Sequence, residues 1–425
     1  MEAESAASQS SGQTNGSSLP QIRVPAALTF AGLVAGLLLG LTFRDSLVLS
    51  AMLAVAEPVG NLWLRALQMT ILPLVAGLLF TGIVQTAAAA RAGAMARRTL
   101  GLFAAILIAG AAIAALAMPL LLEFIPIPPK AATALSGASA EPGPVPGLAD
   151  FLDSLLPANI LNAAANDAML PVIIFIALFA FAATRLEPAP RKHLATLFEA
   201  LASAMLVVIG WVLALAPIGV FALALGVAAK SGSAAIAALA HYILLVSAIG
   251  TVILIAAYLL AAFAARQSPS AFARAALPAQ AVAISTQSSL ASLPAMLAAC
   301  RKLGVRETSA DFVLPLAVAI FRATSPAMNL AVAIYAARLT GTELDPAMLA
   351  AGVAVACLIS LSTVSLPGTI SFVASIGPIA LAMGVPVEPL ALLVAVEMLP
   401  DIVRTLANVT MDVAVTAAVD RKSRS

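Results

Sequence analysis

Eight long apolar stretches constrain this chain more than any other feature. They lie over roughly 24–43, 60–86, 99–123, 160–185, 197–228, 234–265, 308–340 and 387–419. Each approaches or exceeds the ~20 residues a helix needs to cross ~30 Å of hydrocarbon. Only 10% of the 425 residues are charged and 62% are hydrophobic, against about 25% charged in an ordinary soluble domain. The expected fold class is an all-α polytopic membrane protein. The formal net charge of +2 says little about partners, and nothing points to nucleic acid.

Two further segments are hydrophobic but broken, at roughly 270–303 and 345–383. The interruptions read AISTQSSLASLPAM and SLSTVSLPGTISF, and both carry Ser-Leu-Pro: Ser292-Leu293-Pro294 and Ser365-Leu366-Pro367. Paired broken segments point to a transporter binding site. A break frees backbone N–H and C=O groups, which lipid cannot satisfy, so the breaks must face protein or a water-filled cavity. The bland alternative is two ordinary helices with loose kinks.

Charge distribution sets the topology, since Lys and Arg collect on the cytoplasmic side. With a cytoplasmic N-terminus and both broken segments re-entrant, most of the 22 Lys and Arg fall inside, among them Arg91, Arg97, Arg98, Arg301, Lys302 and Arg306. The expectation is eight transmembrane helices plus two re-entrant helical hairpins, with both termini in the cytoplasm. Residues 1–20 are polar and expected to be a disordered tail; they lack the basic and apolar regions of a signal peptide. Helices 1 and 2 are assigned to 21–98, the third span to 99–123, and an external Pro-rich loop to 124–159. The fourth and fifth spans take 160–230. Residues 231–420 hold the sixth span, the hairpin at 270–303, the seventh span, the hairpin at 345–383 and the eighth span, before a tail at 421–425.

Charges inside the last apolar segments are the chemical signal. A charged side chain at mid-membrane costs ~2.5–3.5 kcal/mol on insertion scales, so retained charges are functional candidates. Asp401, Arg404, Thr405, Asn408 and Asp412 fall on one helical stripe. Glu397 extends it by a turn, across Pro400, a potential kink. The stripe offers a guanidinium for a carboxylate, a carboxylate for an ammonium, and a hydroxyl and amide for orientation. That set complements a zwitterion with an extra acidic group. An Asp401–Arg404 pair that merely holds helices together is the alternative. Ser288, Ser289 and Ser292 offer hydroxyls and backbone N–H groups to an anion, or serve close helix packing.

These residues resemble the dicarboxylate/amino acid:cation symporter family, which includes the glutamate and aspartate transporters. The resemblance covers about residues 24–420. It rests on LWLRALQMTILPL (62–74), Leu170-Pro171 to Phe175, APIGVFAL (216–223), STQSSLASLP (285–294), Pro367-Gly368 and DxxRTxxNxTxD (401–412). It implies a homotrimer in the bacterial inner (plasma) membrane. The first, second, fourth and fifth spans would form a scaffold. The third and sixth spans, both hairpins, and the seventh and eighth spans would form a mobile transport part working by an elevator motion. By the same resemblance, Arg404 binds a side-chain carboxylate and Asp401 an α-amino group. Thr405, Asn408 and Ser289 bind the amino and α-carboxylate groups, and Ser288, Ser325 and Leu366 complete the substrate candidates. Retention of both Asp401 and Arg404 favours an acidic amino acid; cystine and C4-dicarboxylates are the alternatives.

The chain departs from the family in one place. The seventh-span motif Asn-Met-Asp-Gly-Thr is replaced by Phe321-Arg322-Ala323-Thr324-Ser325. Phe321 and Ala323 thus stand where the family's sodium-binding asparagine and aspartate would be. Asn408 and Asp412 remain as a residual sodium site, as do Ser360 and Thr363 on the second hairpin. A guanidinium is always charged, so Arg322, aimed at Asp412, would take the place of one ion. Coupling then passes to protons, to fewer sodium ions, or is lost, with Glu397 and Asp401 as candidate proton carriers. Alternatively, Arg322 contacts an anionic substrate group or faces water.

No tightly bound cofactor is implied beyond Na+ or H+ as the coupling ion. Cys300 and Cys357 argue against a disulfide framework. His193 and His241 cannot make a metal cluster and are expected at loops or interfaces. A membrane enzyme is disfavoured because no metal motif or nucleophile–base pair is present. A channel remains the other class, and a substrate-specific carrier fits the single stripe better.

Overall fold

The computed structural model describes residues 25–43, 46–91, 93–128, 156–166, 168–231, 234–360 and 368–423. Among the described residues the regular structure is helical throughout. The first half holds α1 (Ala26–Thr42), α2 (Leu47–Gln68), α3 (Ile71–Ala90), α4 (Ala94–Phe124), the short α5 (Ile160–Ala165), α6 (Met169–Ala183), α7 (Pro188–Ala214) and α8 (Ala216–Ser231). The second holds α9 (Ala234–Phe263), α10 (Pro269–Thr286), α11 (Ser289–Lys302), α12 (Glu307–Ile320), α13 (Ser325–Thr340), α14 (Pro346–Ser360), α15 (Gly368–Ala382), α16 (Leu390–Leu393) and α17 (Met398–Lys422). Among the described residues, six helical stretches are long and apolar enough to cross a membrane: Val48–Ala90, Ala94–Phe124, Pro188–Ala214, Ile236–Phe263, Glu307–Thr340 and Met398–Lys422. Leu62, Leu116, Leu161, Trp211 and Phe263 point outward, so large apolar side chains line the exterior as well as the core. The chain is a multi-pass helical membrane protein.

Proline placement explains several interruptions. Pro73, Pro217 and Pro326 each sit in the first turn of a restarted helix, where a missing N–H costs no hydrogen bond. The same reasoning revises Pro400. It lies in the first turn of α17, so it starts the helix rather than kinking it. The seventh apolar segment is likewise not one helix; it breaks at Phe321–Thr324 between α12 and α13. Other bounds differ too. The second segment belongs to a stretch from Val48 to Ala90, the third helix starts at Ala94, and residues 394–397 are turns ahead of α17.

The helices pack in two groups. In the first, α1 lies on α8, α8 on α2, and α3 on α6 and α7. The α1–α8 contact is a small-residue seam. A Cβ at Gly32 would meet the Pro217 carbonyl oxygen, one at Gly36 the Phe221 carbonyl oxygen at 2.5 Å, and one at Gly40 the Ala228 Cβ at 2.6 Å. Lipid tails supply no hydrophobic drive between helices, so close backbone approach is what holds such a pair. Trp63 packs on Gly219 and its indole N–H donates to the Val212 carbonyl at 2.9 Å. Phe80 stacks on Phe198 with ring centroids 4.0 Å apart.

In the second group α9 lies along α17, α4 along α13, and α10 and α11 fold back on each other and pack on α17. The turn between α10 and α11 is two residues, with Gln287 left-handed at φ 51°. Helices α14 and α15 also pair, against α13. Phe103 stacks on Phe321 at 4.1 Å. Asp420, near the end of α17, accepts from Arg306 Nε and Ser309 Oγ, both at 2.7 Å. The groups meet mainly where α3 and α6 touch α15, and α3 touches α4.

Of the two histidines expected at loops or interfaces, His241 lies on a helix. It is part of α9, with Nδ1 3.2 Å from the Tyr335 hydroxyl and Nε2 2.9 Å from the Ile125 carbonyl. It ties α9 to α13 and to the residue that ends α4.

The seam yields a test. Gly36→Leu should destabilise the detergent-solubilised protein by about 1–3 kcal/mol, seen as a lowered thermal unfolding midpoint. Gly226→Ala is the control: nothing lies within 4 Å of its Cβ position, so its midpoint should hold or rise.

Candidate functional site

The buried charges converge where α12 gives way to α13 and where α17 begins. Glu397, Asp401, Arg404, Thr405, Asn408 and Asp412 are each at most 5% exposed. Helix α17 presents them because its stripe faces α9, α12 and the α10–α11 pair. Glu397 sits just before the helix but keeps helical dihedrals, and its carbonyl accepts from Asp401 N at 2.9 Å. The stripe therefore continues through it.

Arg404 is the hub. Its Nη2 donates to Glu397 Oε1 at 2.7 Å, and its Nη1 to Asn329 Oδ1 at 2.8 Å. Its Nε lies 3.4 Å from Asp401 Oδ1. The network continues outward in two directions. The Tyr242 hydroxyl donates to Glu397 Oε2 at 2.9 Å, and Asn329 Nδ2 donates to Ser325 Oγ at 3.0 Å. Ser325 thus joins the Arg404 side of the site. A guanidinium with several engaged donors in an apolar body is a fixed, planar charge.

Sequence reasoning missed Tyr242 and Asn329. Each lies on an apolar helix, α9 and α13, with no charged neighbour in sequence. Asn329 is 2% and Tyr242 0% exposed. A polar group inside a membrane helix was the available signal.

One turn further along α17, the Asn408 side chain reaches the α12–α13 break. Its Oδ1 accepts from Thr324 N and from Thr324 Oγ1, each at 2.9 Å. Arg322, in the same break and partly exposed, acts electrostatically on Asp401 and Asp412. Asp412 Oδ1 is buried, with no hydrogen-bond partner among the described residues. Still further on, Thr410 Oγ1 accepts from Gln280 Nε2 at 3.0 Å, which ties α10 to α17.

The first hairpin approaches the stripe at its tip. Gln287 Nε2 donates to the Met398 carbonyl at 3.3 Å. Ser288 caps α11, its side chain accepting from Ala291 N at 3.2 Å. Ser289 is half-buried beside it. The Ser292 hydroxyl donates to the Ser288 carbonyl at 2.9 Å. Ser360 is buried at the end of α14, its hydroxyl donating to the Ala356 carbonyl at 2.6 Å. Thr363 and Leu366 lie outside the described residues. No group of three or more His, Cys, Asp or Glu suited to a metal occurs among the described residues.

Interrupted helices whose broken ends surround opposed buried charges define a membrane transporter. The chain belongs to the sodium:dicarboxylate symporter family, whose profile matches residues 26–422. It is 26% identical over 385 residues to the proton/sodium-glutamate symport protein of Bacillus subtilis (strain 168), covering 90% of this chain and 88% of that one. It is 28% identical over 396 residues to the proton/glutamate-aspartate symporter of Escherichia coli (strain K12), covering 89% and 88%. An L-cystine uptake protein of Shouchella clausii (strain KSM-K16) is 28% identical over 406 residues, covering 92% and 86%.

The Arg404–Glu397 pair is open to a double-mutant test. Removing one member of a buried pair leaves an uncompensated charge, at about 3–5 kcal/mol. Arg404→Met alone should lower the unfolding midpoint strongly. Glu397→Met combined with Arg404→Met should recover much of that loss. Additive effects would mean the pair does not interact.

Proposed function

We propose that the protein is a secondary active carrier for an acidic amino acid, aspartate or glutamate. The observation that carries this reading is the Arg404–Asp401 contact, 3.4 Å long, at the mouth of the break. A substrate with a second carboxylate and an ammonium can replace that internal pair charge for charge, while its α-carboxylate brings one further negative charge to be held by hydroxyl, amide and backbone N–H donors. Its side-chain carboxylate goes to Arg404 and its ammonium to Asp401, while Glu397 and Asn329 keep the guanidinium in place. Thr405, Asn408 and the Ser288–Ser289 tip orient the α-carboxylate, with Ser325 fixing Asn329.

The organisation follows from the same reading. Eight spans and two re-entrant hairpins, at 270–303 and 345–383, cross the plasma membrane with both termini in the cytoplasm. The first packing group is the scaffold of a homotrimer. The second, with α4, α9 and everything after it, is the part that moves in an elevator motion. Support comes from the sparse contact between the groups and from the charge bias of the loops. Coupling is altered relative to a multi-sodium scheme, as Phe321 and Ala323 offer no side-chain oxygen, and Ser360, Thr363, Asn408 and Asp412 are what remains of the ion ligands.

Uptake by the purified protein in liposomes tests the substrate. Labelled L-aspartate should enter saturably and be displaced by L-glutamate more strongly than by succinate or L-cystine. Asp401→Asn should weaken amino acid uptake by about tenfold, or ~1.4 kcal/mol, with little effect on succinate competition. Equal loss for succinate would show that Asp401 does not read the ammonium. Non-saturating flux would favour a channel.

A further inference from the structure

We infer that the cavity between the C-terminal end of α3 and the N-terminal end of α7 is a binding site for the phosphate of an acidic phospholipid headgroup. The inference is independent of which substrate the carrier takes.

The cavity measures about 360 Å³, within the range of small-ligand pockets. Helix α3 contributes Val84, Ala88 and Arg91 to it, and α7 contributes Arg191, Lys192 and Ala195. Val84, Ala88 and Arg91 recur at helical spacing, as do Arg191 and Ala195, so each helix turns one stripe into the cavity. One turn along both helices, Phe80 stacks on Phe198 with centroids 4.0 Å apart. The cavity is thus the open end of an otherwise packed α3–α7 seam.

Three cations line this cavity, and no carboxylate does. Among the described residues, Arg91, Arg191 and Lys192 take no part in an ion pair, and neither does Glu187, the residue before α7. Two of the cations are partly anchored by backbone. Arg91 Nε donates to the Ala87 carbonyl at 3.2 Å, and Arg191 Nη1 to the Thr184 carbonyl at 3.4 Å. Their other donors and the Lys192 ammonium remain for a ligand. Charge of one sign against apolar walls focuses the field into a cleft. A phosphate offers several acceptor oxygens, which match two guanidinium forks and an ammonium.

The surroundings select a lipid as the bearer of that phosphate. Leu178 and Phe181, on the last turns of α6 beside α3, are exposed, and so is Leu197 on α7, two residues beyond Ala195. Acyl chains covering these side chains end at the level where the cations begin. The charge bias assigns the same helix ends to the cytoplasm, where basic pockets between membrane helices meet anionic headgroups.

The test uses the full chain in neutral detergent. Phosphatidylglycerol, phosphatidylcholine and sodium phosphate are titrated separately at constant ionic strength. The unfolding midpoint is followed, and retained lipid is counted by native mass spectrometry. Phosphatidylglycerol should raise the midpoint saturably and leave a retained lipid; phosphatidylcholine should do neither. Arg91→Gln combined with Arg191→Gln and Lys192→Gln should weaken the apparent affinity at least about tenfold. Arg274→Gln combined with Arg301→Gln and Lys302→Gln removes the same charge from α10 and α11, and should leave the affinity within about twofold. Lys192→Glu alone, at an exposed side chain, should weaken it at least about threefold, and answers the question if the triple variant does not fold. Equal responses to the two lipids overturn the inference, and so does unchanged affinity in Lys192→Glu. Sodium phosphate that stabilises as strongly as phosphatidylglycerol reveals a soluble-anion site and overturns the lipid assignment.

Discussion

Arg404 is the constraint around which the rest of the chain is arranged. A guanidinium inside an apolar helical body is tolerable only with its charge matched and its donors engaged. Glu397 matches it, Asn329 occupies a second edge, and Asp401 flanks the third. Those partners come from α13 and from the start of α17, and Glu397 is itself held by Tyr242 from α9. Three chain segments must therefore meet at one point, and the neighbouring breaks in the helices make that meeting possible. The interruptions and the charges are two sides of one requirement.

Much of the fold was legible because membrane helices are written in long apolar runs. The first broken segment was legible from its Ser-rich interruption, where α10 and α11 fold back on each other; the Ser365-Leu366-Pro367 interruption lies outside the described residues. Helix ends were less so. The stretch 387–419 reads as one apolar segment, yet residues 394–397 form turns and the helix begins at Met398. Hydropathy does not distinguish a buried turn from a buried helix. Phe321–Thr324 is a related case: the apolar run continues on both sides, and its one charge, Arg322, does not by itself mark where the helix stops.

At the site, the stripe from Glu397 to Asp412 followed from periodicity alone, since charged residues three and four apart share a face. Tyr242, Asn329 and His241 did not, because the partners that bring them to another helix are 75 to 155 residues away in sequence. Local patterns carry no information about which distant helix will supply an acceptor. Thr324 is the instructive middle case. It was visible as part of a substituted motif, but its two bonds to Asn408 depend on how the break folds.

Those two bonds have a mechanical consequence. Thr324 ties the α12–α13 junction to the middle of α17, while Asp420 ties the other end of α17 to Arg306 and Ser309 at the start of α12. Helix α17 is thus riveted to the α12–α13 segment at two points roughly 12 residues apart, about 18 Å along a helix. Two rivets forbid pivoting where one would allow it. Any displacement of the charge-bearing helix must then take the broken helix with it as a single strut, and the compliance has to lie elsewhere, in the thinner contacts that α15 makes with α3 and α6.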